Sequence, residues 1–282
     1  IAIGTLVWLL PRLNSLTRRW RQQHAPHNHG VFACTDGIPE NQFMTLLVGT
    51  AGLLSFIFIT LYLPWLTDLN SWVNAAFTQL RQPGIDWLFT AFTLLADNRA
   101  LLTLGGIVAL WLLLRREWRG LSFVLVASAI CLSLPLLLQT LFALPGPQPV
   151  FTMRDEAAFP SDHAFSVTVL WGLFYVLMTR DYWPGLKPWA LAVSLSLIIF
   201  TAISRAFLGV HWLSDVIAGV TLGVVVVAGL RWAWYRGAGF NRVKYWEPTL
   251  VILLALVISG FLWLRQSWAS ALTPYTVLGL GN

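Results

Sequence analysis

The sequence predicts an all-α, polytopic membrane protein. Apolar residues make up 57% of its 282 positions and charged residues only 11%, whereas a soluble domain carries about 25% charged residues. Sixteen tryptophans occur, most of them near the ends of apolar runs, where an interfacial aromatic belt is expected. The net charge of +6 is attributed to loops that orient the helices, and it does not predict nucleic-acid binding. The two cysteines, Cys34 and Cys131, predict no disulfide framework.

Runs of about twenty apolar residues are long enough to cross a bilayer. The candidate spans lie near residues 43–66, 98–114, 120–144, 161–179, 189–208, 213–233 and 248–264. Segment 67–97 mixes apolar and polar residues at helical spacing. It is therefore expected to lie along the membrane interface, or to dip into it, because it is too polar to cross.

These patterns divide the chain into four regions. Residues 1–11 are interpreted as the end of a truncated upstream transmembrane segment, because they are apolar but too few to span a bilayer. Residues 12–42 are expected to form a polar, basic linker, and residues 43–235 the main transmembrane domain. Residues 236–282 are expected to hold one additional C-terminal span and a tail. This organisation leaves room for a fused or partner membrane domain upstream of residue 1.

The distribution of Lys and Arg predicts the orientation of the spans. Segments 12–24, 115–119, 180–187 and 231–244 hold thirteen of the eighteen basic residues, and they alternate with less basic loops. The positive-inside rule places these four segments in the cytoplasm. The loops near residues 145–163 and 205–215 are then predicted to face the periplasm, across a bacterial inner membrane.

Two short strings place polar residues beside apolar runs at that predicted outer face. They are Phe159-Pro160-Ser161-Asp162-His163 and Ser204-Arg205-x5-His211-x3-Asp215. A carboxylate four residues after a histidine lies on the same helical face and can hold the imidazole. An arginine can supply a bidentate donor for an oxyanion such as phosphate. A histidine–aspartate pair that serves solvation alone is the alternative, but ionisable residues at the ends of spans favour a functional site.

This set of residues is suited to phosphoryl transfer. A neutral imidazole oriented by a carboxylate, here His211 and Asp215, can attack phosphorus and form a phosphohistidine. His163, in the first turn of a helix that begins near Ser161, can protonate the leaving oxygen and later activate water. Arginine and the free N–H groups of a helix start can neutralise the phosphoryl oxygens without a metal. Metal binding by His163, His211 and Asp215 is a weaker alternative because no close ligand pair occurs, so no cofactor is expected.

The two strings resemble the second and third signature motifs of the type 2 phosphatidic acid phosphatase (PAP2) superfamily, over roughly residues 43–235. That superfamily includes membrane lipid phosphatases and soluble vanadium haloperoxidases. The resemblance implies a six-helix transmembrane core in which His211 is the nucleophile, Asp215 orients it and His163 is the general acid. It also implies that Arg205 and Ser161 hold phosphate, and we expect the same of Ser204.

The chain departs from the family pattern at the first motif, K-x6-R-P. Gln139-x6-Gly146-Pro147 stands at the corresponding distance, so only the proline is retained. Gln139 can still donate a hydrogen bond, and Arg154 can stand in for the missing arginine, although a solvated loop arginine is an equal alternative. Asp162 stands where glycine is commonest, and this PSDH variant occurs in bacitracin-resistance-type undecaprenyl diphosphatases. It places a negative charge beside an anion site unless it binds a cation or turns outward.

The sequence thus predicts a membrane phosphatase acting on a lipid phosphate or diphosphate, such as undecaprenyl diphosphate or a phosphatidic acid-like lipid. The expected partners are the lipid substrate and the bilayer. One alternative is a phosphotransferase that passes the phosphoryl group from the same histidine to another lipid or glycan. The other is a catalytically degenerate module that binds a lipid headgroup or serves a transport partner.

Overall fold

A computed structural model describes residues 38–94, 98–116, 118–147, 157–181 and 187–236. Within these ranges the regular structure is helical. The α-helices are α1 (Ile38–Tyr62), α2 (Thr67–Gln79), α3 (Pro83–Leu94), α4 (Asn98–Leu114), α5 (Trp118–Phe142), α6 (Asp162–Asp181), α7 (Lys187–Phe207) and α8 (Leu213–Arg236), with a 3-10 turn at Leu63–Leu66. The all-α prediction is confirmed. The predicted C-terminal span at 248–264 and most of the 12–42 linker lie outside the described residues.

The chain divides into two compact units, residues 1–48 and residues 49–282. The described part of the first unit is the opening of α1, which begins at Ile38, slightly before the predicted span at 43. A proline in the first turn, Pro39, is compatible with a helix start because its missing N–H needs no partner there. The second unit holds the other described elements and both sequence strings.

Four helical segments among the described residues are long and apolar enough to cross a membrane. They are Met44–Gln79, Gly120–Phe142, Pro188–Phe207 and Leu213–Ala233. The first differs from the prediction, because the 3-10 turn joins α1 to α2 and the apolar stretch continues past the expected end at 66. The apolar part of α4, Leu102–Leu114, is shorter than a full span.

Helix α6 covers the predicted 161–179 span, but it is less apolar than the four segments named above. Its polar residues face inward, since Ser166 and Thr168 are buried alongside Phe165 and Val167. Helices α5, α7 and α8 all pack against α6. A helix enclosed on several sides in this way can carry polar groups because protein, and not lipid, surrounds them. Helix α6 is therefore the centre of the bundle that carries the site.

Helices α6 and α8 approach closely along a face of small residues. Gly219 and Gly223 are spaced by four, the spacing that lets two membrane helices meet backbone to backbone. A Cβ atom added at Gly219 would lie 2.5 Å from the Ser161 carbonyl oxygen, and one at Gly223 would lie 2.6 Å from the Thr168 Cβ. Glycine at both positions is what allows this helix pair to form.

We predict that Gly219→Ala destabilises the protein, although alanine is the better helix former. The added methyl group meets backbone at Ser161, and overpacking of this kind costs about 1 to 3 kcal/mol. Gly229→Ala is the matched control, because nothing lies within 4 Å of its added Cβ. Thermal unfolding in detergent should show a lower midpoint for G219A and an equal or higher midpoint for G229A. Equal midpoints for G219A and the wild type would contradict the packing argument.

Candidate active site

The two sequence strings meet at one end of the bundle, where four helix termini converge. Gln139 lies in the last turn of α5, His163 in the first turn of α6, Arg205 in the last turn of α7 and Asp215 in the first turn of α8. His211 lies on the short connection between α7 and α8. The Ser161 N–H donates to the Asp215 carbonyl at 3.0 Å and so joins the two strings directly.

The turn that carries His211 is built on a glycine. Gly209 has a φ of +69°, a left-handed conformation that glycine adopts without steric cost. Its N–H donates to the Ala206 carbonyl, while the N–H groups of Val210 and His211 both donate to the Arg205 carbonyl at 3.2 Å. This is a Schellman-type helix end. It fixes His211 beside Arg205, and a glycine directly after the α7 apolar run was the sequence signal for it.

The His211 ring has a defined hydrogen-bonding arrangement. Its Nδ1 lies 3.0 Å from the Ala158 carbonyl oxygen, and its Nε2 lies 3.3 Å from Arg205 Nη2. Because a carbonyl only accepts and a guanidinium only donates, Nδ1 carries the proton and Nε2 keeps its lone pair. Burial and the Arg205 charge lower the pKa of His211 to about 3. The imidazole is therefore neutral at physiological pH, as a nucleophile requires.

Asp215 lies next to His211 but is held mainly by other groups. Its Oδ2 is 4.0 Å from His211 Nδ1, which is beyond hydrogen-bond distance. The same oxygen accepts from the Trp212 N–H at 2.9 Å, and Oδ1 accepts from the Ser214 hydroxyl at 3.4 Å. The carboxylate thus caps the start of α8. The sequence predicted that Asp215 would hold the His211 ring. In this structure the Ala158 carbonyl accepts the hydrogen bond from His211 Nδ1 instead.

Sequence reasoning missed Asn70, which holds the start of α8 from outside both strings. Its Nδ2 donates to the Ser214 hydroxyl at 2.8 Å, and its Oδ1 accepts from the Ser214 N–H at 3.1 Å. Asn70 is buried on α2, inside the segment expected to be interfacial. Helices α2 and α3 both contact α7, so this segment is part of the bundle. The position of the segment relative to the bilayer interface stays a prediction.

Two of the predicted phosphate ligands have donors that are left without a partner. Ser161 Oγ and Arg205 Nε are buried and make no hydrogen bond to the described part of the chain. Ser161 is fully buried, and Arg205 is 5% exposed. An unpaired buried donor is costly, so such groups beside His211 indicate a place for an acceptor that the protein itself does not supply. A phosphoryl oxygen has the required chemistry.

The other predicted phosphate ligands are engaged elsewhere or lie outside the described residues. Gln139 Nε2 donates to the Pro160 carbonyl at 3.0 Å and so holds the loop before α6. Ser204 Oγ lies 2.6 Å from Thr93 Oγ1 and donates to the Thr201 carbonyl. It therefore ties α7 to α3. Arg154 is outside the described residues, and its expected contribution stays a prediction.

Asp162 turns into the site. Its Oδ1 accepts from the His163 N–H at 2.8 Å and lies 2.9 Å from His163 Nδ1. The same oxygen lies 3.8 Å from His211 Nε2. The carboxylate is thus between the two histidines and does not turn outward. The described residues contain no group of three or more His, Cys, Asp or Glu side chains placed to hold a metal ion.

A separate cavity of about 140 Å³ lies between α4, α5 and α6. Its walls are mostly apolar, and it includes Ser166 but none of the predicted catalytic or phosphate-binding residues. It is therefore distinct from the place where the two strings meet.

A membrane helix bundle with a neutral histidine, an arginine and an unpartnered serine at one end has the chemistry of phosphoryl transfer. Residues 139–238 match the PAP2 superfamily. The matched residues include both strings, and together with the relatives described below the match supports a membrane phosphatase of that class. This likeness favours an enzyme over the alternative of a binding module without turnover.

One relative and one solved structure, both from Bacillus subtilis, are similar to this chain. Phosphatidylglycerophosphatase B of strain 168 is 23% identical over 157 residues, which cover 55% of this chain and 77% of that protein. The crystal structure of the first transmembrane PAP2 type phosphatidylglycerolphosphate phosphatase has a TM-score of 0.59 at 21% identity. The match covers 67% of this chain and 98% of that chain. At this identity the structural likeness shows the fold.

We predict that Ser161→Ala lowers kcat/KM for phosphate release by about tenfold to a hundredfold, the range expected when one hydrogen bond to a charged group is lost. Stability should not fall, since the Ser161 hydroxyl has no partner in the described part of the chain. Ser166→Ala is the matched control. Ser166 is buried on the same helix but lines the separate apolar cavity, so its activity should be unchanged. Equal activity of S161A and S166A would contradict a phosphate contact at Ser161.

Proposed function

We propose that this phosphatase hydrolyses a lipid phosphate or diphosphate at the extracytoplasmic face of the membrane, through a phosphohistidine at His211. The observation that carries the proposal is the state of the His211 ring. A neutral imidazole presents the lone pair of Nε2 next to Arg205, and Nδ1–H is held by a backbone carbonyl. A histidine prepared in this way is a nucleophile for phosphorus.

The reaction proceeds in two displacements. His211 Nε2 attacks the terminal phosphorus, the bond from phosphorus to the bridging oxygen breaks, and His163 gives that oxygen a proton. Water then attacks the phosphorus of the phosphohistidine, His163 takes the proton from water, and phosphate leaves as the bond to Nε2 breaks. One water is consumed for each phosphate released, and both histidines return to their starting states.

Charge on the phosphoryl oxygens is neutralised by groups already in place. Arg205 supplies the positive charge, and the unpartnered donors Ser161 Oγ and Arg205 Nε supply hydrogen bonds. The start of α6 adds the positive end of a helix dipole. Gln139 contributes indirectly, because its amide is committed to the Pro160 carbonyl.

The substrate class follows from where the site lies. Gln139, Arg205 and Asp215 are at the ends of helices long and apolar enough to cross a membrane, so a lipid can present its headgroup from the bilayer. Phosphatidylglycerophosphatase B is similar to this chain, which supports a phosphatidylglycerophosphate-like or phosphatidic acid-like lipid. The PSDH string supports undecaprenyl diphosphate as the second substrate to test.

We predict that a lipid labelled with ³²P at its terminal phosphate transfers label to His211. Purified protein in detergent is mixed with labelled phosphatidic acid or undecaprenyl diphosphate and quenched in alkali, because a phosphohistidine is stable to base and labile to acid. Wild type should carry label that acid removes, and His211→Gln should carry none. His163→Gln should still fold and should release phosphate at least about a hundredfold more slowly.

Three outcomes of the labelling experiment bear on the proposal differently. Equal phosphate release by H211Q and the wild type would exclude the mechanism. Turnover with no base-stable label on a protein that depends on His211 would show direct attack by water. A labelled lipid or glycan product in place of free phosphate would assign the transferase alternative.

We also predict that the site faces the periplasm. The exposed Leu144 lies at the site end of α5 and Arg115 at the opposite end of the helix pair α4–α5. In a background with Cys34 and Cys131 replaced by serine, L144C should react with a membrane-impermeant maleimide in intact spheroplasts. R115C should react only after the membrane is opened. The reverse pattern would place the site in the cytoplasm.

A further inference from the structure

The carboxylate of Asp162 lies in an unusual place for a site that accepts an anion. It belongs to the first residue of α6, and its Oδ1 is hydrogen-bonded to the backbone N–H of His163 at 2.8 Å. It also lies 2.9 Å from Nδ1 of the His163 ring. Both contacts hold the carboxylate against His163, on the side of the site where His211 lies.

Asp162 Oδ1 also lies close to the ring of His211. The distance from Oδ1 to His211 Nε2 is 3.8 Å. For attack, phosphorus must approach the nitrogen to about 3 to 3.5 Å, with its oxygens around it. Asp162 Oδ1 therefore already fills part of the space that a phosphoryl group must enter.

The charges around this space explain why a carboxylate rests there. The Arg205 guanidinium is buried, and its charge attracts Asp162. A buried guanidinium needs a counter-charge, because an uncompensated buried charge is costly. Asp162 supplies one, and it does so from a side chain that is still 28% exposed. The side chain accordingly has a route out of the site toward solvent.

We propose that Asp162 is an internal placeholder for the phosphoryl group. Its carboxylate is attracted by the charge of Arg205 and hydrogen-bonds to His163, and a phosphoryl group must displace it to reach His211. Displacement frees Nδ1 of His163 and removes one negative charge from the reaction space. Asp162 therefore sets how tightly the site binds anions, and it favours substrates whose headgroup binds strongly enough to replace it.

This inference rests on the proposed function, because the space in front of His211 is taken to be the phosphoryl site. An experiment can nevertheless test the role of Asp162 separately from the proposed function, since anion binding can be measured without turnover. The probe is inorganic phosphate, the product of the proposed reaction. Its dissociation constant is measured by calorimetry in detergent and compared with its inhibition constant against lipid hydrolysis.

Asp162→Asn removes the charge and keeps an oxygen that can accept from His163. We expect D162N to bind phosphate at least about tenfold more tightly than wild type, because the negative charge of Asp162 repels the anion that enters beside it. The KM for the lipid should fall together with the phosphate dissociation constant. Asp68→Asn is the control, because Asp68 is an exposed residue on α2, and D68N should bind phosphate as the wild type does.

Any other effect of D162N on phosphate binding overturns the placeholder. Equal or weaker phosphate binding by D162N shows that Asp162 does not compete with the anion, as does an absence of measurable binding by both proteins. A lower kcat with unchanged phosphate affinity assigns Asp162 to positioning His163 alone. If D162N does not fold, D162A replaces it with the same expectation for phosphate. Tighter phosphate binding by D162N without any lipid turnover would retain the placeholder and reject the proposed function.

Discussion

The close approach of α6 and α8 is the constraint on which the site depends. Gly219 and Gly223 leave no side chain between the two backbones, so the Ser161 N–H can reach the Asp215 carbonyl at 3.0 Å. That single bond joins the helix start that carries His163 to the helix start that carries Asp215. If the helices separated by the width of one methyl group, the two strings would no longer form one site. Packing and chemistry are therefore specified by the same few residues.

Near this contact, backbone carbonyl groups hold His211 in place. The Arg205 carbonyl accepts the N–H of His211, and the Ala158 carbonyl accepts its ring N–H. Backbone partners lose no rotamer freedom when they act, so they keep the imidazole in one tautomer at little entropic cost. The side chains that remain unsatisfied, Ser161 and Arg205 Nε, are then the ones free to meet a substrate.

Much of this organisation could be predicted from the sequence, and the reasons differ between parts. Composition and apolar length predict helices and their approximate positions, because crossing a bilayer imposes both. The spacing of Arg205, His211 and Asp215 predicts that they share a site. Spacing could not show that His211 turns to the Ala158 carbonyl, or that Gln139 bonds to Pro160, because these partners depend on tertiary contacts. Asn70 has no local pattern at all, since its partner Ser214 is 144 residues away.

That separation between Asn70 and Ser214 has a consequence for biosynthesis. Chains are made from the N-terminus, so early segments are available to fold before later ones exist. The amide of Asn70, on α2, is in place long before α8 emerges with Ser214 and Asp215 at its start. The start of α8, the last described helix, thus binds to Asn70 on a helix that was made earlier. The surroundings of His211 are therefore not complete until α8 packs against the helices made before it.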